Sequence, residues 1–79
     1  MKIQLNERIF VDTEKCNGKP IIRDQRVTVQ TILEFLSAGD SIDDVLQAYP
    51  TLEKEDIYAC LAYAGQVMTN HSMTLPTAA

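Results

Sequence analysis

Thr28-Val29-Gln30-Thr31-Ile32-Leu33-Glu34-Phe35-Leu36-Ser37-Ala38-Gly39-Asp40-Ser41-Ile42-Asp43-Asp44-Val45-Leu46-Gln47-Ala48-Tyr49-Pro50 is the stretch that sets the architecture. Val29, Ile32, Leu33 and Leu36 recur at i, i+3, i+4 and i+7, the spacing of one helix face. Thr28 stands ready to cap that helix, Gly39 to stop it, and Phe35 widens its apolar stripe. Ser41 then caps a second helix, with Asp44 reaching back as the acidic half of a capping box. Ile42, Val45, Leu46 and Tyr49 repeat the spacing, and Pro50 ends the segment. Thr51 is expected to cap a third helix, whose first turn carries Glu53, Glu55 and Asp56 to meet the positive end of its dipole. Three helices with short connections predict a helix-turn-helix-like bundle over residues 28–68.

Upstream the pattern changes to strand signals. Arg8-Ile9-Phe10-Val11-Asp12 is β-rich, and Asn17-Gly18 is a turn pair that tolerates positive φ. Ile21-Ile22-Arg23 and Arg26-Val27 flank Asp24-Gln25 in the layout of a two-residue hairpin loop. The expected fold is therefore mainly α: a short N-terminal β-hairpin arm, residues 1–27, then a three-helix homeodomain-like bundle, with a flexible tail over 69–79. Seventy-nine residues hold one small domain, near the size at which a single core supplies little net stability. A hydrophobic fraction of 46% with 23% charged residues argues against disorder. No apolar run approaches the ~20 residues of a membrane helix, and the N-terminus lacks the apolar core of a signal peptide, so the expected location is cytoplasmic.

From Ile57 to Ala79 the chain has no charged residue, apart from one titratable histidine, His71. A helix that is apolar or small on nearly every side needs a second body to cover it. With Ile57 as reference direction, a core stripe of Ile57, Cys60, Leu61, Ala64 and Met68 is expected within about 60° of it. Tyr58, Ala62 and Gly65 then gather on one flank, and Ala59 and Tyr63 point to the back. Small residues beside tyrosines let another backbone come close. Phe35, Tyr58, Ala59, Ala62 and Tyr63 are accordingly the expected contact residues of a homo-oligomer, a dimer or higher. Burying about 300 Å² per partner would gain ~15 kcal/mol against an association cost of ~4–15, so Phe35 or the arm must add area, for instance by arm exchange.

Catalytic chemistry finds little footing. There is no glycine-rich phosphate loop, nucleophile motif or metal-spaced His/Cys/Asp cluster, so no enzyme activity, metal or cofactor is expected. Cys16 and Cys60 lie far apart without companions and read as buried thiols of a reducing compartment. The net charge of −4 is uneven: residues 1–30 hold six bases against four acids, and residues 31–79 hold Lys54 against seven acids. A DNA-reading third helix would present Glu53, Lys54, Glu55 and Asp56 to phosphate, which repels it. Lys19, Arg23 and Arg26 on the arm are the remaining candidate contacts to nucleic acid or a partner.

The run Arg8-Ile9, Asp12, Cys16-Asn17-Gly18-Lys19-Pro20, Ile22-Arg23 and Arg26-Val27, continued by Ala38-Gly39, Tyr49-Pro50, Asp56-Ile57 and Ala62-Tyr63-Ala64, resembles the signature of the bacterial domain-of-unknown-function 433 family. The resemblance covers about residues 8–65 and implies a small β arm with a three-helix, homeodomain-like body. Some members are similar to antitoxins of VapBC type, which bind and silence a PIN-like nuclease toxin and commonly repress their own operon. This chain has Asn17-Gly18 where the family usually carries Gly-Gly, and Asp24-Gln25 where it carries Gly-Thr. The family has no assigned catalytic residues. The expected function is an antitoxin-like interaction module that masks a nuclease with the charge-free helix and the acids from Glu53 to Asp56. The alternative is a small helix-turn-helix DNA-binding regulator that uses paired basic arms.

Overall fold

Thr28 has the extended backbone of a helix cap, and its Oγ1 accepts the Thr31 N–H at 3.1 Å. In the computed structural model, which describes residues 1–71, helix α1 follows directly as Val29–Ser37. It ends in a Schellman closure, the Gly39 N–H on the Leu36 carbonyl and the Asp40 N–H on that of Phe35, with Gly39 at φ +103°. Ser41 and Asp44 form the full capping box of helix α2, Ile42–Ala48. The Asp44 carboxyl is held below its usual range by those hydrogen bonds from Ser41.

Helix α3, Lys54–His71, begins later than the sequence suggests. Thr51 is not its cap: the Thr51 hydroxyl donates to Gln25 Oε1, and Asp56 Oδ2 reaches back to accept the Glu53 N–H at 2.8 Å. Leu52 is buried in the same cluster as Ile57, so the chain enters α3 pinned by an apolar pair on either side of that cap. The helix continues through 69–71, where a tail is expected; the rest of that tail, 72–79, lies outside the described residues.

The N-terminal segment is a three-stranded antiparallel sheet rather than a hairpin arm, which makes the fold mixed and helix-rich. Strands β1 (Lys2–Gln4), β2 (Ile9–Asp12) and β3 (Pro20–Ile22) lie in that order, with Ile3 opposite Val11 and Ile9 opposite Ile22. Strand β1 had a signal, the alternation Lys2-Ile3-Gln4-Leu5, but one too short to stand out. The β2–β3 connection holds three successive residues at positive φ, Cys16, Asn17 and Gly18, one turn of left-handed backbone. After β3 the chain reverses, closed by the Gln25 N–H on the Ile22 carbonyl, so that Arg23-Asp24 rather than Asp24-Gln25 is the central pair, with Arg23 at φ +49°. Arg26-Val27 makes no strand; only a bridge from Thr28 to Ile21 continues the pairing.

The core lies between the inner face of the sheet and all three helices. Ile9, Ile22, Val29, Ile32, Val45, Leu52, Ile57 and Cys60 form one buried cluster. On α3 this centres the buried side nearer Cys60 than Ile57. Leu61 (45% exposed) and Met68 (65% exposed) therefore leave the expected core stripe. By the same rotation Ala59 and Tyr63, expected at the back, pack against the core.

Candidate functional site

Two features of α3 stand out, a buried ion cluster at its start and an apolar groove along its second half. Asp56 occupies the third position of the helix, on the side facing the sheet, with no exposed surface. Arg23, from the turn after β3, grips it twice, Nε to Oδ1 at 2.9 Å and Nη2 to Oδ2 at 2.6 Å. The same Nη2 donates to the Thr51 carbonyl at 3.2 Å. Arg8, at the foot of β2, donates from Nη1 to Asp56 Oδ1 at 3.0 Å and to Glu53 Oε1 at 2.7 Å. The sheet is thus bolted to the first turn of α3 by two guanidiniums on one carboxylate.

Burial pushes the Asp56 carboxyl up, but hydrogen bonds from Arg23, the Glu53 backbone and Arg8 outweigh it and hold it below the usual carboxylate range. Arg8 is held above its ordinary value by Glu53 and then Asp56, and Arg23 by Asp56. A carboxylate so held is a poor base. One turn on, burial and then Asp56 push the Cys60 thiol up to about 12, which removes it as a nucleophile. Among the described residues no group of three or more His, Cys, Asp or Glu could hold a metal ion.

The groove runs between α1 and the second half of α3, with a volume of about 470 Å³. Val29 and Leu33 form one wall, Tyr63, Ala64 and Val67 the other, and Pro20 closes one end. Its charged lining residue is Glu34.

The expected contact residues do not share one face. Phe35 packs edge-on against Tyr49, ring centroids 6.0 Å apart. Tyr63 belongs to the groove, whereas Tyr58 (51% exposed) and Ala62 face outward beside the β1–β2 turn. Ala59 is half-buried there and its carbonyl accepts from Asn6 Nδ2 at 3.2 Å. Of the arm cations, Lys19 and Arg26 are exposed, while Arg23 is engaged by Asp56. The acidic surface shrinks likewise, since Asp56 is buried and Glu53 is paired with Arg8. Sequence reasoning missed Arg8 and the true role of Asp56. The signal was there: Asp56 is four residues before Cys60, on the buried side of the helix, where a carboxylate needs a cation.

Residues 9–64 match a family described as "Protein of unknown function (DUF433)". A 47-residue stretch is 36% identical to the uncharacterized protein y4eO of Sinorhizobium fredii, covering 60% of this chain and 21% of that one. The crystal structure of a DUF433 member protein from Anabaena variabilis is similar with a TM-score of 0.75 at 29% identity, over 84% of this chain and 65% of that one. The chain thus spans about a fifth of the length of the rhizobial relative and just under two thirds of the cyanobacterial one.

Proposed function

The chain belongs to the DUF433 family, and from that premise and its surface we propose that it is a non-enzymatic interaction module of antitoxin-like type, which binds and silences a PIN-like nuclease. The observation that carries this reading is the apolar groove between α1 and α3, lined by Val29, Leu33, Tyr63 and Val67. An apolar cleft on a chain this small suits a helix or extended segment of another protein, because docking buries Leu33 and Val67 with Glu34 as the one charged lining residue among those described. The excess of acids after residue 31 favours a partner whose own surface is basic, as a nuclease's is.

The alternative, a helix-turn-helix regulator in which α2 and α3 face DNA, has fewer cations to use. Arg23 is tied to Asp56, leaving Lys19 and Arg26 on the arm, and the start of α3 presents Glu55 beside Lys54. The discriminating experiment is titration of a purified PIN-like nuclease with the chain, read as loss of RNA cleavage at stoichiometric ratio. Leu33→Lys is expected to abolish the inhibition with helicity retained. Undiminished cleavage at excess chain, together with operator binding that weakens steeply as salt rises, would instead favour the regulator.

A further inference from the structure

The chain has three glycines, and the fold accounts for two of them. Gly18 and Gly39 stand at φ +75° and +103°, where a side chain is strained. Gly65 has ordinary helical backbone in the interior of α3, and a Cβ built there would meet nothing within 4 Å among the described residues. Glycine is the poorest helix former after proline. Nothing among the described residues needs it at this position.

Gly65 lies about 140° around the helix from buried Cys60, at the centre of the outward face. Leu61 and Met68 flank it on one side, Ala62 and Thr69 on the other, all exposed. Tyr58, Leu61, Gly65 and Met68 follow one another at intervals of three, four and three residues, the spacing that seats one helix along another. The Thr69 hydroxyl donates to the Gly65 carbonyl at 3.0 Å and so asks for no partner outside.

We propose that this outward face of α3 is the seat of a second copy of the same chain, packed antiparallel about a two-fold axis at Gly65. The face is complementary to itself in that arrangement. Residues pair so that Gly65 meets Gly65, the large Met68 meets the small Ala62, and Leu61 meets Thr69. Charge selects the direction. A parallel pair would set Glu55 against Glu55, whereas the antiparallel pair places the two acidic first turns about 30 Å apart along the axis, well beyond the ~8 Å screening length at physiological salt. With Tyr58, Leu61 and Met68 exposed by 51, 45 and 65%, the seam offers roughly 500 Å² per copy, or ~1,000 Å² in total, the lower bound for a specific interface. This face adjoins the groove and shares Met68 with its lining, but the nuclease reading is not needed for it.

Sedimentation equilibrium of the full chain between about 1 and 100 µM tests the proposal. The full chain is expected as a dimer, and Gly65→Lys as a monomer with undiminished helicity, its dimer dissociation constant raised by ~100-fold or more. Ala62→Lys, at an already exposed helical position, is a second probe with the same expectation. Ala62→Cys mixed with Met68→Cys, each in a Cys16→Ser background, is expected to form a mixed disulfide faster than either forms alone. A full chain that stays monomeric at ~100 µM overturns the proposal, as does a dimer that both lysine variants leave intact. Faster linkage of each cysteine variant to itself overturns the antiparallel register. No nuclease enters these measurements, so their failure leaves the inhibition titration unaffected.

Discussion

Asp56 shows how much one side chain can be asked to do. It accepts two arginines from the sheet and the Glu53 N–H at the start of its own helix, all from a position without exposed surface. Removing one partner from a buried pair is more damaging than the pair's net worth, because the charges left behind stay poorly solvated. Arg8 and Arg23 are partly exposed, which softens that cost. Asp56→Asn is expected to lower stability by about 2 kcal/mol at pH 7 in urea unfolding. The folded-state carboxyl titrates below its unfolded value of ~3.9, so its contribution is full above about pH 4 and is lost as the pH falls through the lower folded value. The variant should therefore lose part of the acid limb of the stability profile. An unchanged midpoint at pH 7, or an unchanged acid limb, would show the cluster to be incidental. Arg23 adapts its backbone to the same end, holding φ +49° while its guanidinium reaches Asp56.

At the scale of elements, legibility followed locality. Thr28, Ser41 with Asp44, and Gly39 act on groups within a few residues, so the start and end of α1 and the start of α2 were readable from spacing alone. The start of α3 was not, because Leu52 is drawn into the core and moves the cap from Thr51 to Glu53. The rotation of α3 was also hidden. Its composition is apolar all round, so no polar back marks which side faces in, and the body's choice of Cys60 over Leu61 is a tertiary fact. Two substitutions test that rotation. Tyr63→Glu, half-buried against the core and the groove, is expected to cost about 2 kcal/mol of stability. Leu61→Lys, measured on dilute protein, is expected to stay within about 0.5 kcal/mol of the parent. The reverse order would restore the stripe centred on Ile57.

For the molecule as a whole, the sheet and the helices make one body through two kinds of contact, the shared cluster around Ile9, Ile22 and Ile57, and the arginine bolts on Asp56. The apolar share of that union was visible in the sequence as β-rich and helix-spaced runs. The ionic share was not, since Arg8, Arg23 and Asp56 are brought together only by folding. The same union explains why the uneven charge along the chain overstates the polarity of its surface: two bases of the first third neutralise acids of the second part. Cys60, sealed on the inner side of α3 with its thiol pushed up by burial, then gives the protein an internal stopwatch. In a Cys16→Ser background, a maleimide dye should label it only during excursions that lift the helix off the sheet. Asp56→Asn should quicken that labelling by tenfold or more, in step with its lost stability. Rapid labelling of the parent would mean that the helix leaves its bed without the bolts giving way.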